Sequence, residues 1–303
     1  MLSESRKDYE TCYLQQVYAP LYAAPWWLDA TCGAGQWHSI KVAQTNHDAQ
    51  IRFPVYVTKI RGLRSVISPP LTQWVPVMAT HLAGPLSLQE VLTSLPAYPI
   101  LDLTFKQSPD LFPPEHPYHS RVRYSYIIPP ATDVAIVRKR YNEGLRRNLK
   151  EADSLYRIET SDDISTFLLL CQSSYHQRGM KEPVWFSTIL PSALQELNRR
   201  QLGKLQMAYE KGKAIAGIIT GWDEKVMYYL AGGRSDTASA ASAHALLLDH
   251  AIMEAQEGKR EFDFEGSMHP GIANFFQSFG ATPDPYWHIQ KYNGIGKIWS
   301  LFQ

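Results

Sequence analysis

Three consecutive stretches constrain this chain most: Tyr228-Tyr229-Leu230-Ala231-Gly232-Gly233-Arg234, an Ala/Ser-rich run, and Glu261-Phe262-Asp263-Phe264-Glu265-Gly266. In that order they predict a strand over 226–231, a turn at Gly232-Gly233, a helix over 239–256 and a strand over 260–265. Glycine lets a backbone turn sharply off a strand, and Gly258 is the expected end of the helix. Alternate residues of a strand share a face. Glu261, Asp263 and Glu265 are therefore expected on one side, with Phe262 and Phe264 on the other. Polar groups then gather where the strands end.

Length and composition set the frame. The 303 residues are 45% hydrophobic, enough for two domains with packed cores. Lys+Arg 30 against Asp+Glu 29 leaves no global field that argues for nucleic acid or a membrane. Met1–Lys7 has no apolar core of the kind a secretory signal needs, and no apolar run approaches the ~20 residues that span a bilayer. Cys12, Cys32 and Cys171 are few and widely spaced, which fits a reducing cytoplasm better than a disulfide framework or a zinc site. The histidines offer no convincing third ligand for a metal, and no nucleophile elbow stands out.

The first half reads as β-rich and irregular. Strands are expected at Ile51–Val57, Val66–Thr72, Pro99–Phe105 and Arg121–Ile128, with helices around Trp26-Trp27-Leu28 and over Ser87–Leu95. Pro129-Pro130-Ala131-Thr132 marks the expected boundary. Beyond it Leu145, Leu149, Ala152 and Leu155 recur at helical spacing, followed by helices over Asp162–His176 and Pro191–Leu202. A meander of Lys204–Tyr209, Ala214–Gly221 and Val226–Ala231 comes next, and Tyr286–Lys291 is the last long strand.

Several groups carry two readings each. Ser239 and Ser242 are expected N-caps, and with Gly232, Gly233, Arg234 and Ser235 they surround a helix start able to hold a phosphate; close packing of small residues is the alternative. Glu265, at the end of its strand, is placed as general base, and Asp263 as its neighbour in a carboxylate row; a solvated or neutralised acidic face is the alternative. His269 can shuttle a proton near neutral pH or be a bystander. Tyr228, Tyr229 and Tyr286 offer phenols that can protonate a leaving group, or fill the core. The cluster Arg138, Lys139, Arg140, Arg146, Arg147 and Lys150 suits phosphates, but lacks aromatic interleaving beyond Tyr141 and reads better as a solvated helix face.

The order of these motifs resembles the GNAT acyltransferase superfamily, in the branch shared with FemAB/FemX-type peptidyltransferases. The resemblance is carried by Arg140-Tyr141-Asn142 through Asn148-Leu149-Lys150-Glu151-Ala152, Tyr229–Gly233, Leu246-Leu247-Leu248, Phe262–Gly266 and Phe275 through Phe279-Gly280. Pro25-Trp26-Trp27-Leu28 and Ile67-Ser68-Pro69-Pro70-Leu71 look similar to the first domain of two-domain members. It implies an α/β fold of two tandem GNAT-like domains, over 1–135 and 136–303, each a mixed, mostly antiparallel sheet flanked by helices. The segment 286–303 is expected to pack back on the first. It also implies acyl or aminoacyl transfer to a small-molecule or peptide-like amine, with Tyr175 and Arg178 beside the acceptor pocket and acyl-CoA as donor. Aminoacyl-tRNA and an acylated carrier protein, which needs no pyrophosphate loop, are the alternative donors, and a non-catalytic binding module the alternative to an enzyme. The chain departs from the pattern twice. Arg234-Ser235-Asp236-Thr237-Ala238-Ser239 lacks the glycines of the acyl-CoA loop, and Phe276 stands where many Fem-type enzymes have Lys. No metal is called for, and the sequence leaves the oligomeric state open.

Overall fold

The computed structural model describes residues 5–42, 51–60, 62–79, 90, 93–95, 97–106, 118–183, 186–266 and 268–293. The helix expected over Ser87–Leu95 lies mostly outside these residues. The chain forms two compact units, one of residues 1–124 with 285–303 and one of residues 125–284.

In the first unit, α1 (Ser5–Leu14) and α2 (Pro25–Cys32) accompany strands β1 (Trp37–Val42), β2 (Ile51–Ile60), β3 (Leu63–Ile67), β4 (Met78–Ala79) and β5 (Ile100–Phe105). β2 pairs antiparallel with β1, β3 and β4, and β3 runs parallel to β5. Strand β12 (Thr282–Tyr292) closes antiparallel on β5 from Trp287–Phe105 to Tyr292–Ile100. Val42, Phe53, Val55, Val66, Leu103 and Ile289 are among the side chains of the core between these strands. Pro25 at the first helical position of α2 has no N–H to satisfy, which is why the helix starts there.

The second unit is a helix–sheet–helix sandwich. From one edge inward its strands are β7 (Arg157–Ser161), β8 (Gly203–Glu210), β9 (Lys213–Trp222), β10 (Val226–Arg234), β11 (Glu261–Gly266) and the end of β6 (His119–Ile128). Only β10–β11 is parallel; the other pairs are antiparallel. Helices α3 (Val134–Lys139), α4 (Glu143–Leu155), α5 (Ile164–Gln177), α6 (Phe186–Arg200), α7 (Ala240–Glu257) and α8 (Pro270–Ser278) cover it. Strand alternation sorts the two faces. Ile218 joins the core with α7, whereas Gly217 turns toward Phe167 of α5.

Polar tips fix the helix ends. Asn142 accepts from the Leu145 N–H at 2.7 Å to start α4, and Asp163 accepts from the Thr166 N–H at 3.0 Å to start α5. Arg138 of α3 grips buried Asp249 of α7 through Nε and Nη2 at 3.1 and 2.7 Å, so the carboxylate charge is not left uncompensated.

Local reading missed or displaced several elements. β7, β1 and α1 were not expected, and α6 begins five residues before Pro191, which it contains. Gly258 does take the C-cap, but with φ −76; the left-handed turn falls on Lys259, at φ 54. An L side chain is disfavoured there by about 1–2 kcal/mol. Lys259→Gly is accordingly expected to raise stability by about 0.5–1 kcal/mol in urea unfolding; a fall in midpoint would refute this account of the turn.

Candidate functional site

Strands β10 and β11 travel together only over Val226–Glu261, Met227–Phe262 and Tyr228–Asp263. Beyond that point β10 stays hydrogen-bonded to β9 as far as Arg234–Ala216, with a bulge between Tyr229 and Ala231. β11 meanwhile stays on β6, with its own irregularity between Asp263 and Gly266. A bulge bends and twists a strand locally, so two irregularities on neighbouring strands part them. Helix α5 covers the open side of β10. The Arg234 N–H donates to Ser174 Oγ at 2.8 Å, and Ser174 Oγ donates back to the Arg234 carbonyl at 3.2 Å.

A cavity of about 360 Å³ lies beside the far end of β10, walled by α5, the start of α7 and α8, with Arg178, Tyr229, Gly232, Gly233, Arg234 and His244 among its lining residues. The Tyr229 hydroxyl is 3.0 Å from His244 Nε2. Phe275 stacks on the imidazole at 6.2 Å, and Phe276 lies edge-on to Tyr229 at 6.3 Å. Burial pushes the Tyr229 phenol well above its ordinary range. It also lowers His244 to about 4, with help from the charges of Arg234 and Arg178. Both groups are thus neutral near pH 7. Neither guanidinium forms an ion pair with a carboxylate among the described residues. Arg178 Nε donates to the Ser174 carbonyl at 2.9 Å, and its guanidinium lies over the Tyr175 ring.

The glycines have another purpose than the expected turn. Both lie inside β10, opposite Ile218 and Gly217, and neither has a positive φ. Their lack of a side chain serves close approach instead. A Cβ on Gly232 would run into the Tyr229 hydroxyl and come within 2.7 Å of His244 Nε2; one on Gly233 would come within 2.6 Å of the Cys171 Cα. The strand expected to stop at Ala231 continues to Arg234 by its pairing with β9, and α5 and the Tyr229–His244 pair leave room there only for glycine.

Neither serine caps α7 as expected. Ser239 occupies the N-cap position without a side-chain cap, and its hydroxyl donates to Glu210 Oε2 at 3.1 Å. Ser242 lies in the first turn, bonding back to the Ser239 carbonyl at 2.9 Å and to the Tyr156 hydroxyl at 3.0 Å. Both line a separate groove of about 710 Å³ that shares Ala241 and Phe275 with the first cavity. Ser235 is bound to the Ile215 carbonyl through its N–H and to Thr237 through its hydroxyl.

The carboxylate row is also broken. Asp263 is 3% exposed, takes a short hydrogen bond from Ser125 Oγ, and accepts from the Glu265 N–H at 2.8 Å. That last bond bends the chain so that Glu265 adopts φ 56 and leaves the two-residue alternation. A left-handed non-glycine residue at a strand end is the kind of strain found at functional sites, yet Glu265 does not line the cavity. His269 is exposed and accepts from the Gly271 N–H at 3.2 Å, capping α8. Tyr175 packs edge-on against Phe186 at 5.9 Å, outside the cavity lining. Tyr228 donates to Asp223 at 2.8 Å, closing a turn. Buried Tyr286 belongs to the first unit.

The residue that sequence reasoning passed over is His244, on the helix that follows β10. Its mark was an imidazole set among Ala240, Ala241, Ala243 and Ala245–Leu248 in the small-residue first half of α7. Ser174 carried no such mark. Among the described residues no group of three or more His, Cys, Asp or Glu could hold a metal ion, and no helix is long and apolar enough to cross a membrane.

An antiparallel meander, a parting parallel strand pair and a helix starting beside the gap make up a GNAT-like fold. Residues 137–275 match the model of the acetyltransferase (GNAT) domain family. FemX has a similar structure, with a TM-score of 0.61 at 10% identity over 93% of this chain and 95% of that one. L-PGS from Bacillus licheniformis aligns with a TM-score of 0.58 at 10% identity, over 98% and 94%. A conserved protein of unknown function from Bacteroides thetaiotaomicron aligns at 0.53, with 11% identity over 82% and 86%. No curated protein matches the chain in sequence.

The depressed His244 makes a stability prediction. Its unfolded value is 6.5 and its folded value about 4, so the unfolded chain binds the proton more readily between them. This contribution is fully present above pH 6.5 and is lost as pH falls toward 4. Urea unfolding at pH 7 and 4.5 should show roughly 2 kcal/mol of such loss, and His244→Gln should remove that part. An identical pH slope in the variant would contradict the burial of a neutral imidazole.

Proposed function

We propose that this protein transfers an acyl or aminoacyl group from an activated donor to an amine, in the cavity beside the far end of β10. The observation that carries this reading is the Tyr229–His244 pair, 3.0 Å apart, in a cavity with the β10 edge and two guanidinium groups free of carboxylate partners among the described residues. The amine nitrogen attacks the donor carbonyl carbon. The oxyanion is held by N–H groups of the parted β10 edge, with Arg178 and Arg234 adding positive charge.

Proton movement follows from the shifted acidities. A phenol that resists ionisation and an imidazole that resists protonation suit a concerted relay. With its proton on Nε2, His244 donates to the phenol oxygen and leaves the Tyr229 O–H for the leaving atom. As that proton departs, the phenol oxygen accepts the proton lost by the attacking amine. Tyr229 is then the relay and His244 its positioning residue. This assigns to Tyr229 the proton transfer that sequence reasoning gave to Glu265, because Tyr229 lines the cavity and Glu265 does not. Small amines and peptide-like amines suit a cavity of this size, and three unbridged cysteines suit a cytoplasmic setting.

The test is amide formation from acyl-pantetheine thioesters with a panel of primary amines, read by mass spectrometry. Tyr229→Phe should lower kcat by about 10²-fold, and Glu265→Gln by far less. No amide from any pair, or full activity in Tyr229→Phe, would sink the reading.

A further inference from the structure

The 710 Å³ groove beside the reaction cavity lies between α4 and the start of α7. Its polar lining is neutral apart from one carboxylate: the amides of Asn142 and Asn148, the hydroxyls of Ser239, Ser242, Ser278 and Tyr156, and Glu151. No Lys or Arg lines it. We propose that this groove takes the neutral amide arm of a pantetheine thioester attached to an acidic carrier protein, and that the cations of α4 dock the carrier. The inference rests on the acyl-transfer reading and names its donor.

Three observations lead there. An arm built of amides and short aliphatic links matches a lining of amides, hydroxyls, alanines and Phe275, and asks for no cation. A nucleotide diphosphate asks for several. The start of α7, where a helix would otherwise draw a phosphate, already faces the carboxylate of Glu210 through the Ser239 hydroxyl at 3.1 Å. A free nucleotide thioester would bring its phosphates against that charge. On the outer side of α4, Arg146, Arg147 and Lys150 are exposed, with Glu143 and Asp153 on the same helix, and the three cations form no ion pair among the described residues. Arg147 lies one turn before Glu151, at the groove's edge. A partner with a complementary negative surface is steered to such a face, and a tethered arm then reaches past Ala241 and Phe275 to Tyr229.

The reaction balances without a further reagent. The amine nitrogen bonds to the thioester carbonyl carbon, the C–S bond breaks, and sulfur leaves with the electron pair. The proton relayed through Tyr229 from the amine makes it a thiol, which stays on the carrier.

The experiment compares three donors of one octanoyl group: octanoyl-pantetheine, octanoyl-CoA and an octanoylated acidic carrier protein, each with the same primary amine. The carrier should give the highest kcat/KM and the CoA thioester the lowest. Arg146→Glu with Arg147→Glu should raise KM for the carrier at least about tenfold more than for octanoyl-pantetheine, and Glu210→Gln should improve use of octanoyl-CoA several-fold. CoA and carrier used equally well would overturn the inference. So would a charge-reversed variant that loses binding to deacylated tRNA while still using the carrier. Amide from octanoyl-pantetheine without any advantage of the carrier defeats only this inference; amide from none of the three defeats the acyl-transfer reading as well.

Discussion

Gly233→Ala is expected to lower the stability of the protein by about 3 kcal/mol, the cost of overpacking a site that cannot relax. The added methyl would meet the Cys171 N–H nitrogen, the Cys171 Cα and the Leu170 carbonyl carbon, the last two at 2.6 Å. These are backbone atoms of α5 and have no rotamer to escape into. Either α5 lifts from the sheet or β10 bends away from β9, and the two hydrogen bonds between Ser174 and Arg234 go with it. A fall in Tm of roughly 6–12 °C is the expected reading in calorimetry. An unchanged Tm would mean that α5 does not bear on β10 as described.

Gly232→Ala should behave in the opposite way, costing activity far more than stability. Its methyl would meet the Tyr229 hydroxyl and His244 Nε2, the latter at 2.7 Å. Both are side-chain tips, so rotation relieves the clash at about 1 kcal/mol. The rotation separates the 3.0 Å pair, and kcat should fall by about 10²-fold with Tm lowered by no more than a few degrees. Wild-type turnover in a folded Gly232→Ala protein would show that the Tyr229–His244 contact is not needed for transfer. Together the two neighbouring glycines separate packing from chemistry in one strand.

Much of the second unit was legible because its signals are local. Leu145, Leu149 and Ala152 recur at helical spacing and are the residues α4 buries, whereas Leu155, expected with them, is exposed at the end of the helix. The turn at Lys211-Gly212 between β8 and β9 has positive φ at both positions, as a tight hairpin requires. Phe262 and Phe264 do point into the core, at 0% and 2% exposure. The first unit was less legible: β2 forms at the expected Ile51–Val57 and runs on to Ile60, but β3 covers Leu63–Ile67 where a strand was expected over Val66–Thr72, because Pro69-Pro70 cannot donate to a ladder. β7 was missed because Arg157-Ile158-Glu159-Thr160-Ser161 has almost no apolar residue; it forms as an edge strand by pairing with β8.

For the site, the order of elements was legible and the chemistry was only half so. Tyr229, Gly232, Gly233, Arg234 and Arg178 do meet in one cavity. Glu265, His269, Asp263, Ser235, Ser239, Ser242 and Tyr175 lie elsewhere in the same unit. Asp263 shows why. A carboxylate two residues from another reads as a shared face, until a serine 138 positions away takes one of its oxygens and a backbone N–H folds around it. Alternation describes a regular strand and fails at the first bulge.

The amino-acid order by itself determined where helices and strands form and the succession that builds a GNAT-type sheet, because those follow from each residue's own backbone and its near neighbours. Tertiary structure alone decided that Gly232 and Gly233 make room rather than turn. It also set His244 against Tyr229, left Arg178 and Arg234 without carboxylate partners among the described residues, and placed Glu210 at the start of α7. Steric clearance and the cost of burying charge are set by atoms far away in sequence, and no local pattern contains them.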